Sequence, residues 1–425
     1  MPDAPSTSPH PPFAPAGAFG WRQALFVAAT ALLVYGGTAL LTGNTSSPNV
    51  AYFDHLARAF LDGHLYLEDP PGESDLTLYD GRWYVPFLPL PAVLMLPWVA
   101  AFGVAHTNTV LFSVIVGTLN VVVVGCILDA LARRGWIALR RADRWWLLLL
   151  FALGCVHWQV VTEGSVWFLS QTCTVLFIGL AVWAAIATGA PWLAATALAI
   201  ALWGRPTVIF TWPFLLGVFL QQVHDQGGRI DRRRLTAWIW RSLVPVAISI
   251  AGLAAYNYAR FGRPFDFGYG TQNVSAELVG ELARGQFAPY HIPRNLHVLL
   301  MGAPRWYEPE FAPWLHLPVP DAHGMSIFLT TPALFYLVRA WPRREPLVRS
   351  AWISVGLLLI PLLLYYNTGW RQWGYRFSLD FMIPVMVLLA VAAGTRITRP
   401  MHGLILLGVL VNTWGVAWWY TSWLD

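Results

Sequence analysis

Four carboxylates in this 425-residue chain stand where a proton could be moved: Asp54, Asp75, Asp80 and Glu163. Asp54 lies in AYFDHLARAFLD, residues 51 to 62, where Tyr52, Phe53, Leu56, Phe60 and Leu61 gather on one side of a helix and Asp54, Arg58 and Asp62 recur every fourth residue on the other. Such a helix lies along a membrane interface and holds Asp54 at headgroup level, where a carboxylate can act as a general base. The plainer reading is a ladder of i,i+4 ion pairs, with Arg58 bonded to its acidic neighbours rather than to a substrate. Asp75 and Asp80 belong to DLTLYDGRWYVPFLPLPAVLMLPWVAAFG, residues 75 to 103, in which YDG marks a turn and the prolines break an apolar run. Glu163 ends an apolar stretch in VVTEGSVWF, a costly place for an acid inside hydrocarbon. It is either a helper that binds substrate hydroxyls or a solvated helix end.

The cations suited to these acids are also few. Arg205 interrupts an apolar stretch in WGRPT, residues 203 to 207, and needs either a lipid phosphate or an ion pair with Glu163 or Asp54. The segment YYNTGWRQWGYRFSLDF, residues 365 to 381, carries Arg371, Gln372, Tyr375, Arg376 and Asp380 between two apolar runs. Guanidinium groups interleaved with aromatic rings fit a phosphate beside a sugar or isoprenoid, and an aromatic belt with snorkelling arginines is the competing account. In NYARFGRPFDFGYG, residues 257 to 270, Arg263 stands among aromatic residues and glycines that could close over such a site. No His, Cys, Asp or Glu spacing suggests a metal centre, although a divalent cation between Asp54 and Glu163 stays open.

Positioning these groups is the work of a membrane. The chain is 56% hydrophobic and only 12% charged, with a mean hydropathy of +0.52, far from the roughly 25% charge of a soluble domain. Cys126, Cys155 and Cys173 lie in apolar runs, as small hydrophobes do. All 27 basic residues are arginine, which we read as a bacterial coding bias, and the net charge of +5 is accounted for by Arg-rich short loops without nucleic acid. Apolar periodicity predicts an all-α polytopic membrane protein with about eleven spans, near residues 22–42, 108–131, 145–161, 168–187, 191–204, 206–221, 242–259, 325–340, 350–366, 381–395 and 402–421. Arginine clusters at 133–144, 229–241 and 339–349 place those loops inside. Residues 1–21 then form a cytoplasmic tail and 22–425 a single transmembrane domain, with two long extracytoplasmic loops at 43–107 and 260–324. Residues 86–104 are apolar, but their four prolines favour a broken juxtamembrane helix kept on the outer face.

An acid soon after the first span, the amphipathic LARAFLDGHLYL helix, the aromatic GRWYVPFLPLP stretch and an apolar segment ending in FG resemble the GT-C integral-membrane glycosyltransferases. The resemblance is to the protein O-mannosyltransferase-like family, which includes the lipid A aminoarabinose transferases, and it extends over the order of elements in nearly the whole chain. It implies a sugar donor carried on a polyprenyl phosphate, a glycan, lipid or protein acceptor, and an active site on the extracytoplasmic face of a bacterial inner membrane. It further implies a catalytic acid in the first outer loop, which points to Asp54. Two departures bear on that assignment: Asp54 is followed by His55 instead of the family's Glu, leaving Asp75 and Asp80 as alternatives, and the family's His-Pro-Pro segment is here Pro89-Leu90-Pro91. The expected activity is inverting glycosyl transfer with an Asp base, with Arg205, Arg371 or Arg376 on the lipid phosphate and no cofactor required. A transporter or lipid flippase is the rival class; it would place its charges near the midplane of repeated halves.

Overall fold

The computed structural model describes residues 19–308, 314, 316–341 and 343–421. Most of the cytoplasmic tail expected at 1–21 lies outside the described residues. The helices in chain order are α1 (Trp21–Leu41), α2 (Phe53–Leu61), α3 (Leu90–Phe102), α4 (Thr109–Arg133), α5 (Arg141–Leu153), α6 (His157–Glu163), α7 (Val166–Thr188) and α8 (Pro191–Ala201). There follow α9 (Trp212–Asp225), α10 (Arg232–Phe261), α11 (Ala276–Leu282), α12 (Ile292–Met301), α13 (Ile327–Thr330), α14 (Pro346–Leu364), α15 (Leu379–Ala392) and α16 (Arg399–Thr421). Two short antiparallel hairpins complete the chain, β1 (Thr77–Tyr79) with β2 (Arg82–Tyr84) and β3 (Arg305–Tyr307) with β4 (Leu317–Val319).

This is a multi-pass membrane protein. Among the described residues seven helical stretches are long and apolar enough to cross a bilayer, and an eighth results if α5 and α6, which meet at a 48° bend, are one broken span. The expectation of eleven spans is therefore revised. The stretch at 191–204 forms an 11-residue helix, about 16 Å long at 1.5 Å per residue, short of a core near 30 Å thick. The span expected at 381–395 is a 14-residue helix, every residue of which is buried among its neighbours. The span expected at 325–340 is one four-residue turn followed by nine residues of 3₁₀ helix. Thr331 alone separates the two, and Pro332 opens the second, since proline is tolerated at a helix start and disfavours helix in the residue before it.

The long helix α7 packs on α4, α8 and the fully buried α15, and the core runs through these helices. Apolar periodicity alone would not settle their spacing; glycine does so at Gly204, where a Cβ would come within 2.1 Å of Thr174 Oγ1 on α7. Residue 204 can thus press against that helix and accept a 3.1 Å hydrogen bond from Ser170 Oγ.

Both long loops sit at the same end of the bundle and are joined there. Leu76 O accepts from Asn273 N and Asn273 O accepts from Asp75 N, both at 2.8 Å, and Thr77 Oγ1 donates to Gly268 O at 2.7 Å. The hairpin β1–β2 turns at Asp80-Gly81 with φ of 49° and 70°, the geometry of the tight primed turns that favour Asp-Gly. Segment 86–104 lies at this end: Leu90 N donates to Trp203 O, and the 13-residue α3 then leads to Thr107, whose carbonyl accepts from Ser47 Oγ. The opposite end carries the arginine clusters, the first of them pinned by Asp129, which accepts from Phe19 N and pairs with Arg133 and Arg144.

Candidate active site

Where the two loops meet the bundle a cleft opens, enclosing about 1060 Å³ including its mouth. One wall is α7 with Trp167 and Ser170, and a second is the turn 204–207. The remainder comes from residues 86–88, the loop around Phe267 to Gln272, the end of α14 and the start of the Arg376 segment. Its polar groups are concentrated in Asp75, Arg205, Tyr269, Gln272, Tyr366 and Arg376, and its apolar flank includes Phe87, Phe267, Phe287, Leu362 and Phe377. A charged end and a greasy flank in one cavity suit an amphiphile whose head is anionic.

Arg205 enters the cleft because Gly204 is held on α7 and Pro206 starts a 3₁₀ turn immediately after it. Its partner is neither Glu163 nor Asp54 but Asp380: Arg205 Nε donates to Asp380 Oδ2 at 2.8 Å, and the guanidinium lies over the Phe377 ring. Asp380 is in the first turn of α15, where the helix dipole favours an acid. Arg376 is clasped by Gln171 of α7, whose Nε2 donates to Arg376 O at 2.8 Å while its Oε1 accepts from Arg376 Nη1 at 3.3 Å. Phe168 and Phe377 flank the Arg376 guanidinium. Burial, and then the neighbouring Arg205 charge, push the pKa of Arg376 down to about 9, so it remains a cation at neutral pH. Two guanidinium groups, one of them paired with Asp380, thus stand side by side at the polar end of the cleft, a donor arrangement that suits an anionic group.

The acid at this site is Asp75. It holds a left-handed backbone with φ of 60°, a conformation in which Asp is one of the tolerated residues. Its carboxylate is hydrogen-bonded by the Trp167 side chain and lies near Arg376. Gln272 Nε2 donates to Asp75 Oδ1 at 3.2 Å. Burial outweighs these contacts and raises its pKa to about 6. A carboxylate in that range is a competent base near neutral pH.

The other candidates lie elsewhere. Asp54 was expected on the wet face of its helix, yet it is only 2% exposed, beyond the residues lining the cleft. The reason is local: Val50 O accepts from Val166 N, fastening the start of α2 against α7 and burying that turn. Asp54 Oδ1 accepts from His55 N at 2.9 Å, and burial raises its pKa while His55 opposes the rise. At the free end of the same helix Arg58 pairs with Asp62 at 2.6 Å in solvent, the plainer reading of that motif. Asp80 is an exposed turn residue. Glu163 is tied to α16, its Oε2 accepting from Trp419 Nε1 at 2.7 Å. Arg371 lies over Trp418. Gln372 is a structural clamp: its Nε2 donates to His323 O and Thr368 O and its Oε1 accepts from Arg376 N. Tyr375 is fully buried beneath the cleft. Arg263 lines a neighbouring open recess that shares Phe267, Tyr269 and Gln286 with the main cleft. Among the described residues no group of three or more His, Cys, Asp or Glu side chains could hold a metal ion.

Composition and spacing give no hint of Gln171, Trp167, Tyr269, Gln272 or Tyr366. Trp167, Tyr269 and Tyr366 fall inside quoted segments without standing out there, while Gln272 lies in a loop without chemical pattern, and only the pairing of the two loops brings it to Asp75.

No protein-family model matches the chain, and no curated protein matches it. Among solved structures it is similar to the archaeal oligosaccharyltransferase AglB from Archaeoglobus fulgidus, in complex with an inhibitory peptide and a dolichol-phosphate, at 12% identity and a TM-score of 0.45. The match covers 95% of this chain and 56% of that one, so this chain spans little more than half the length of that protein.

Proposed function

We propose that this protein is a membrane glycosyltransferase that moves a sugar from a polyprenyl-phosphate carrier to a hydroxyl-bearing acceptor on the extracytoplasmic face, with Asp75 as the base. The observation that carries this reading is the convergence of Asp75, Arg205 and Arg376 in one cleft with an apolar flank. Neither Asp54 on α2 nor the scattered outer arginines offers that combination.

In this reading the carrier phosphate lies between Arg205 and Arg376, and the isoprenoid leaves along Phe87, Phe287 and Leu362 toward the lipid. The sugar then points to Asp75. Asp75 takes the proton of the acceptor hydroxyl as its oxygen bonds to the anomeric carbon. The bond from that carbon to the phosphate oxygen breaks, and the arginines stabilise the charge that collects on the departing polyprenyl phosphate. A single displacement inverts the anomeric configuration. The Arg-rich loops at the far end of the bundle support an extracytoplasmic cleft, because such loops stay on the cytoplasmic side.

Transfer from a polyprenyl-phosphate-linked sugar by purified Asp75→Asn and Asp54→Asn proteins tests the assignment. Asp75→Asn should lose about 10²- to 10⁴-fold in turnover, the usual worth of a general base, while Asp54→Asn retains the chemistry. The reverse pattern would return the base to Asp54.

A further inference from the structure

We infer that Gln272 is a positioning residue for Asp75, and that through it the second long loop holds the carboxylate of the first in place. The inference rests on the reading of Asp75 as the base.

Gln272 and Asp75 both line the cleft, and they come from loops about two hundred residues apart in sequence. The Gln272 Nε2 group donates to two oxygens of the same residue, Asp75 Oδ1 at 3.2 Å and Asp75 O at 3.3 Å. Reversing the amide would set its oxygen against both acceptors, so their positions fix its orientation. Its Oε1 is buried with no hydrogen-bond partner, so that atom does not select the orientation. The side chain is committed to Asp75. Around it the loops are stitched by the Asp75–Asn273 and Asn273–Leu76 backbone bonds, and Thr77 is bridged to Gln272. A carboxylate on a left-handed residue has few local restraints of its own. The cross-loop donor holds Oδ1, beside the Trp167 side chain and the Arg376 charge that also face the carboxylate, and with them it favours the ionised form that can accept a proton.

The test is an infrared pH titration of the ligand-free, full-length protein in nanodiscs, with the Asp75 carboxyl band identified by its loss in Asp75→Asn. Gln272→Met keeps the length and removes the donor; Gln272→Glu keeps the shape and replaces the donor with an acceptor. The midpoint should rise by about one on the pH scale in Gln272→Met, the loss of one hydrogen bond to the charged form, and further in Gln272→Glu. Thr77→Val removes a different inter-loop bond and should leave the midpoint in place, which separates positioning from general loosening of the loops. A parental midpoint in Gln272→Met, or an equal shift in Thr77→Val, overturns the inference. Transfer assays on Asp75→Asn judge the base assignment separately: full turnover there would remove Asp75 as base whatever the titration shows.

Discussion

At the scale of single residues the cleft sets Asp75 beside Arg376 and beside Arg205, whose charge is shared with Asp380. Because burial lifts the pKa of Asp75 to about 6, kcat/KM should climb with pH up to about 6 and level off above it, as the base must be ionised; Asp75→Asn should abolish that limb of the profile. The same shift has a stability consequence. The fold favours the protonated carboxyl, so the stability it lends is present below the ordinary value of 3.8 and is lost as pH rises through about 6. Asp75→Asn should therefore melt at a higher temperature than the parent at pH 8, and the gap should close as pH falls toward 4, an activity–stability exchange of the kind active sites show. Arg205 and Arg376 could be found in the sequence because arginines between apolar runs are costly enough to need a reason. Asp75 could be found only as one of several acids. What separates it from Asp54 is which side of a local anchor each falls on, a matter of tertiary contacts that spacing does not encode.

At the scale of elements, the site depends on close approaches that tolerate little change. Gly204→Ala would drive a methyl into Thr174 on α7, displacing Arg205 from the cleft. Donor affinity should weaken by about tenfold or more, the worth of one charge-assisted contact, with the helices still folded by circular dichroism. Asp380→Ala removes the partner of Arg205 from a position where the acid is 1% exposed. Breaking such a buried pair costs about 3–5 kcal/mol, so thermal melting should fall sharply, more than for Asp62→Ala, whose pair with Arg58 is solvated. Long apolar helices were legible because their length and composition are set by the bilayer. The short pieces α8 and α15 and the 3₁₀ run at 332–340 were not: α15 trades lipid contact for burial against other helices, the other two are broken or cut short by local chain geometry, and an apolar run looks the same in each setting.

At the scale of the whole molecule, the architecture separates a loop-bearing end that holds the cleft from an end that holds the arginine clusters. Accessibility labelling of single cysteines placed at Asp80 and at Arg229 should report opposite sides of the membrane, with position 80 outside. The pairing of the two long loops is not legible in the sequence, which marks only residues 257–270 as able to close over a site. The rungs of the pairing join the short alternating stretch at 75–77 to residues 268–273, which show no strand periodicity, so the register that delivers Gln272 to Asp75 emerges only in three dimensions. The most direct measurement of the central claim is a structure of the protein with a polyprenyl phosphate bound. The account predicts the phosphate between Arg205 and Arg376, within hydrogen-bonding reach of both, with Asp75 beside it and the isoprenoid along the Phe87 and Phe287 flank. A phosphate seated at Arg371, in the Arg263 recess or among the arginines of the opposite end would contradict it.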